Sequence, residues 1–183
     1  MTALTLYDDL PPHGFRVTLH EREAIVSALA PAGITLEIWN AAAALPDDPA
    51  DTDILAAYAE EVERLKARGG YQSCDIVRLT PDHPQRAEMR AKFLSEHVHD
   101  DDEVRFFVEG SGLFYIRAGG TVHALECTAG DLIVLPAGTR HWFDTGERPC
   151  FTAIRLFTRP DGWVARFTGD EIARGIPLYE GAS

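Results

Sequence analysis

The sequence predicts a mainly β fold, an antiparallel sandwich or barrel with helices packed on its outside. Three observations predict it. From residue 104 onward, short β-rich runs follow one another at roughly eight-to-twelve-residue spacing, over 104–109, 113–117, 122–127, 132–135, 142–145 and 151–157. Glycine-bearing turns at Gly110-Ser111-Gly112, Gly119-Gly120, Ala129-Gly130 and Thr145-Gly146 separate those runs. The front half mixes helices and strands, and no flexible linker divides it from the rest. With 183 residues and 45% apolar composition the chain is long enough for one well-packed unit without disulfide staples. We therefore expect a single domain over 1–183, with an α+β part at 1–95, a barrel core at 96–160 and a C-terminal segment at 161–183.

Taken in order, residues 3–7 and 15–20 alternate as edge strands around a turn marked by Pro11, Pro12 and Gly14. Residues 21–30 carry apolar positions at helical spacing and acids in the first turn, and Pro31 and Gly33 stop the helix. Residues 34–39 alternate as a strand, and 41–50 are proline- and alanine-rich and irregular. The clearest helix is 52–68, where Ile54, Leu55, Tyr58, Val62 and Leu65 form one stripe before Gly69-Gly70. A strand at 73–79 follows. Asp82-His83-Pro84 then opens a helix, with Pro84 in its first turn, that carries Met89, Phe93 and Leu94 toward a core. Past Pro160 the chain runs through Trp163 and Phe167 to a loose small-residue tail.

Charge excludes some classes. A formal net charge of −12 argues against nucleic acid and against an anionic membrane surface, since both would repel this chain. No apolar run approaches the roughly 20 residues of a membrane helix. The first residues lack a basic region followed by an apolar one, so we expect no secretory signal and a cytoplasmic protein. Cys74, Cys127 and Cys150 are far apart and contain no CxxC pair, as reduced, mostly buried thiols would be. A compact domain of this charge is compatible with a monomer.

The chemistry concentrates in EHVHDDDEVRFFVEG, residues 96–110. Side chains alternate along a strand, so His97, His99, Glu103, Arg105 and Phe107 share one face. A second cluster, GDLIVLPAGTRHWFDT, presents His141 just after a turn at Gly138. Three imidazoles and one carboxylate suit a first-row dication such as Fe(II), Ni(II), Mn(II) or Zn(II), and leave two adjacent positions of an octahedral ion open. Arg105 on the same face needs an anion, either a structural carboxylate such as Glu109 or a negatively charged oxygen of a substrate. Phe107 and Phe143 share parity with ligand positions and are candidates to line a pocket, whereas Phe106 and Trp142 read as core. Arg155, inside FTAIRLF, reads as one half of a buried ion pair. Asp100, Asp101 and Asp102 read as a solvated acidic loop, and His13, His20, His83 and His123 as surface or satisfied histidines.

The two clusters resemble the paired motifs of the cupin superfamily. His97, His99, Glu103 and Gly110 match G-x5-H-x-H-x3-4-E-x6-G, with Ala91 in place of the leading glycine. Gly130, Pro136, Gly138 and His141 match G-x5-P-x-G-x2-H-x3-N, with Thr145 in place of the final asparagine. Within that superfamily EHVHDDDEVRFFVEGSGLFYI, LPAGTRHWFD, FTAIRLF, GWVARFTGDEIA and GYQSCDIVRL look like the bacterial branch of the acireductone dioxygenases of methionine salvage. The resemblance covers most of the chain from the long helix onward. It implies a double-stranded β-helix or jelly roll and one Fe(II) or Ni(II) per chain on His97, His99, Glu103 and His141. It also implies cleavage of 1,2-dihydroxy-3-keto-5-methylthiopentene with O2. Iron would give formate and 4-methylthio-2-oxobutanoate; nickel would give formate, carbon monoxide and 3-methylthiopropanoate. Arg105 would then stabilise the anionic substrate, and Phe107, Phe143 and Trp163 would receive the methylthio tail.

Two other classes fit the ligand pattern. One is a Zn- or Mn-dependent isomerase or lyase acting on a small enolisable substrate, and the other is a non-catalytic sensor. Oxygen uptake with the acireductone separates the first reading from both.

Overall fold

A computed structural model describes residues 1–181. Among the described residues eleven strands, all paired antiparallel, make up two sheets that meet in one long strand. The strands are β1 (Ala3–Asp8), β2 (Phe15–Leu19), β3 (Thr35–Ile38), β4 (Ser73–Leu79), β5 (His97–Val98), β6 (Glu103–Ala118), β7 (Thr121–Thr128), β8 (Asp131–Leu135), β9 (Arg140–Asp144), β10 (Phe151–Phe157) and β11 (Arg166–Phe167). One sheet runs β11-β5-β9-β6-β7-β1-β2, and the other runs β4-β10-β6-β8-β3. The architecture is the cupin-type jelly roll, mostly antiparallel β with few helices.

Residues 104–109 and 113–117 belong to a single strand rather than to a hairpin. The reason lies at Gly110, whose φ of +71° turns the chain without reversing it. A Cβ there would lie 1.8 Å from the Cys150 carbonyl oxygen, so only glycine fits the bend. Before it, β6 pairs with β10 and β8; after it, with β7 and β9. The register against β10 shifts two residues earlier, at Val108, which is left over between Phe107 and Glu109. Odd positions face the interior before the bend, with Phe107 in the main core, and even positions such as Phe114 and Ile116 do so after it.

The helices are α1 (Arg22–Leu29), α2 (Asp51–Ala57), α3 (Ala59–Gly69) and α4 (Arg86–Phe93). The expected helix over 52–68 is broken at Tyr58, where φ −112° and ψ 20° interrupt the helical path. The break is local, because Tyr58 N–H still donates to Ile54 and Val62 N–H to Tyr58. It seats the Tyr58 ring edge-on against Phe106 at 5.2 Å. In α3, Glu60 and Glu61 open the helix, Lys66 and Arg68 close it, and Gly70 caps it at φ +72°. The apolar stripe of Ile54, Tyr58, Val62 and Leu65 packs on the outer face of β6, β8 and β10, while Ile25 and Leu29 of α1 join the core between the sheets. The last helix begins at Arg86, two residues beyond Pro84. The C-terminal segment is docked through Ile172, Ile176 and Tyr179, and the expected loose end at 182–183 lies outside the described residues. No helix among the described residues is long and apolar enough to cross a membrane. Cys127 is buried and Cys74 half-buried, whereas Cys150 is exposed rather than buried.

Candidate metal centre

His97 on β5, His99 in the following turn and His141 on β9 meet at one place. Their ligand-type atoms all lie within 4.8 Å of one another. The strands enforce this, because His97 and His141 are direct partners across β5 and β9. The next contact is chemical. His97 Nδ1 lies 2.7 Å from the Ser95 carbonyl, His99 Nδ1 3.2 Å from that of Val164, and His141 Nδ1 2.9 Å from that of Thr139. A carbonyl accepts only, so each Nδ1 carries the proton and each Nε2 keeps its lone pair for the shared space. Burial lowers the pKa of His97, and it lowers that of His141 to about 3 with the help of the neighbouring His97. Neutral imidazoles result.

Glu103 supplies the carboxylate. Its Oε2 lies 3.5 Å from His99 Nε2, and its Oε1 accepts a 2.7 Å hydrogen bond from Arg105 Nη2. Burial alone would raise this carboxyl; Arg105, His141 and His99 outweigh it and hold the pKa down to about 2. The group is therefore a buried anion. The three oriented imidazoles form a group that could hold a metal ion, and Glu103 lies beside it as an anionic oxygen near His99. Arg105 answers to Glu103 rather than Glu109. Its guanidinium lies against the adjoining Phe114 and Phe143 rings, 4.9 and 4.5 Å from their centroids, and its Nε is buried with no hydrogen-bond partner.

These groups open into a cavity of about 370 Å³. Phe143 and Trp163 line it, together with Val77, Met89, Phe93, Phe114 and Phe167. Phe107 does not. Its fully buried ring lies behind the wall, 6.4 Å from both Phe114 and Phe143, because the side chains beyond the Gly110 bend fill the place it would have taken. Strand parity alone missed Phe114 for the same reason. Arg155 pairs with Asp75 through a fork of 2.9 and 2.7 Å contacts, but the pair is partly exposed rather than buried as expected, and Arg155 also lines the cavity.

The aspartate run departs from expectation. Asp100 is exposed and pairs with Arg166, but Asp101 is buried. Its carboxylate accepts bonds from Thr158 N and Oγ1, Arg159 N and Asp102 N, at 2.6, 2.7, 3.2 and 2.9 Å. Asp102 accepts from Tyr71 Oη and Ala137 N. The two therefore tie loops together from the back of the histidine turn. Nothing in the sequence marks them, since apart from the adjacent Asp102 N–H their donors lie 31 or more residues away. Among the other histidines, His123 is buried against the Ile116 carbonyl.

The chain is similar to known proteins over nearly its whole length. The model of the ARD/ARD′ family matches residues 4–165. The acireductone dioxygenase of Parvibaculum lavamentivorans is 53% identical over 180 residues, 98% of each chain. That of Pseudomonas aeruginosa PAO1 is 52% identical over 180 residues, covering 98% of this chain and 99% of the relative. A solved structure of the acireductone dioxygenase from Bacillus anthracis, with a cadmium ion in its active center, superposes with a TM-score of 0.79 at 30% identity, covering 91% of this chain and 98% of that one.

Proposed function

Because this chain belongs to the ARD/ARD′ family, that of the acireductone dioxygenases, we propose that it cleaves 1,2-dihydroxy-3-keto-5-methylthiopentene with O2 in methionine salvage. His97, His99, Glu103 and His141 would hold one Fe(II) or Ni(II). The observation that carries this reading is the orientation of the three imidazoles, each with Nδ1–H tied to a backbone carbonyl, gathered within 4.8 Å of one another, with the buried Glu103 carboxylate 3.5 Å from His99 Nε2. A divalent ion held there would act as Lewis acid and template for two adjacent substrate oxygens, while the electron-rich enediolate itself reduces dioxygen.

The protein's own groups set the rest. Arg105 favours the deprotonated form of the enediol, so that the proton leaves to solvent and the negative oxygen stays opposite the guanidinium. The carboxylate of Glu103 and the rings of Phe114 and Phe143 hold that guanidinium still. Phe93, Met89 and Val77 give the methylthio end an apolar wall, and Trp163 and Phe167 restrict water at the mouth. With iron the products would be formate and 4-methylthio-2-oxobutanoate; with nickel they would be formate, carbon monoxide and 3-methylthiopropanoate. The decisive assay supplies freshly generated acireductone under anaerobic conditions, admits O2, and follows its consumption by protein loaded with iron or with nickel. No uptake with either metal overturns this reading and leaves an isomerase or lyase of the same fold.

A further inference from the structure

Arg155 faces Arg105 directly across β10 and β6, and this pairing is the unexplained feature of the cavity. Cross-strand partners have Cβ atoms about 4.5–5.5 Å apart, and like charges placed so are destabilising unless something compensates. Each guanidinium has its own carboxylate, Glu103 for Arg105 and Asp75 for Arg155. Asp75 in turn is the partner of Arg155 across β4, so Asp75, Arg155 and Arg105 form one rung over three strands. Arg155 lines the cavity, whereas Asp75 braces it from the strand behind. The fork engages Nε and Nη2 of Arg155, and Nη1 makes no hydrogen bond among the described residues. Arg105 Nε is likewise buried without a partner. Nη1 of Arg155 is thus the donor left over at the cavity, beside a neighbouring guanidinium whose buried Nε already lacks a partner.

Charge points the same way. Two guanidiniums and two carboxylates cancel along this rung and its neighbour. A divalent ion held by the histidines would then leave the cavity net positive inside a protein of net charge −12. Such a site selects an anionic oxygen against a neutral one.

We propose that Arg155 is a second anion-binding residue of the site, acting with Arg105 on an enolate or carboxylate oxygen of the ligand, and that Asp75 is the positioning residue that locks it. The inference rests on the metal-dependent reading above and sharpens its ligand class to anions. Its test needs no turnover, so it can fail while the dioxygenase reading stands.

The test is calorimetric titration of nickel-loaded protein, one ion per chain, with 2-oxobutanoate and with its neutral counterpart 2,3-pentanedione. The parent should prefer the anion by at least about tenfold in Kd. Arg155→Gln should cut affinity for the anion by about tenfold or more and leave the dione within about twofold. Arg155→Lys should recover part of the loss, and Asp75→Asn should fall between the parent and Arg155→Gln. A parent without preference for the anion, or an Arg155→Gln protein of full nickel content that keeps it, overturns the proposal. If Arg155→Gln does not fold, Arg155→Lys and Asp75→Asn decide: an unchanged anion preference in both reduces the rung to a structural tie.

Discussion

Arg105 and Glu103 share one carboxylate with the histidine cluster. Arg105 Nη2 donates to Oε1 at 2.7 Å, while Oε2 faces His99 Nε2 at 3.5 Å. The arginine therefore stands beside the site without standing in it as a ligand. Arg105→Ala should keep one metal ion per chain and lose kcat/KM by about two orders of magnitude, the cost of a pre-organised cationic donor. Elemental analysis and oxygen uptake on the same preparation check both halves. Full activity in this variant would remove the assigned role.

The histidines carry a different expectation. Each Nε2 is aimed by a carbonyl bound to Nδ1, so losing one ring removes a ligand that no neighbour can replace. His99→Ala should abolish metal retention through gel filtration, read as metal per chain. Changing His123, which is buried elsewhere against the Ile116 carbonyl, should leave the metal content unaltered.

Acid should destabilise the metal-free protein over a defined window. The His141 pKa is lowered to about 3 by burial and by His97, against about 6.5 in an unfolded chain. Between these values the unfolded state binds the extra proton, so stability is complete above about pH 6.5 and falls as pH drops toward 3. Glu103, held down to about 2, adds a further loss only below its unfolded value of about 4.3. Chelator-treated protein should show a Tm that falls progressively from pH 6.5 downward, and His141→Phe should flatten the upper part of that slope. An unchanged slope would contradict the neutral, buried imidazole.

Gly110 makes a stability prediction. It stands at φ +71° with backbone 1.8 Å from where a Cβ would lie, so the neighbour cannot yield as a flexible side chain would. Gly110→Ala should cost at least about 2–3 kcal/mol and lower Tm by several degrees, since both the backbone strain and the contact with Cys150 must be relieved. A thermal melt without change would mean that β6 can bend elsewhere.

Much of the site was legible because strand parity is a local rule. His97, His99, Glu103 and Arg105 could be grouped from spacing alone, and Gly138 set His141 at the start of a strand. The β-rich runs were legible for the same reason, with 73–79 and 151–157 matching the observed strands end to end. Parity failed where the backbone departs from it. A register shift at Val108 and the bend at Gly110 redirect the strand, and Phe107 falls behind the wall while Phe114 lines the cavity. Helical periodicity failed likewise at Tyr58, where packing against Phe106 outweighs helical continuity. Long-range hydrogen bonds have no sequence signature, and for that reason the aspartate run read as solvent-facing.

Asp101 is the sharpest such case, and it makes the last prediction. Two backbone N–H groups and one hydroxyl from Thr158 and Arg159 converge on its carboxylate, and a Cβ on Gly162 would lie 2.5 Å from Oδ2. The chain just beyond supplies Trp163 at the cavity mouth and the Val164 carbonyl that orients His99. Trp163 and Val164 are half exposed, so little apolar burial holds this stretch in place. Asp101 is then its main anchor. In Asp101→Asn an NH2 group must face donors that need an acceptor, which costs about 1–3 kcal/mol per unsatisfied group. Amide exchange over residues 158–164 should speed up by about tenfold or more while β6 and β10 stay protected. Metal affinity should weaken less than in His99→Ala, because His99 keeps its imidazole and loses only the carbonyl that aims it. Exchange confined to the parent rate in that segment would show that the stretch is held by its pairing with Val98 and His97 instead.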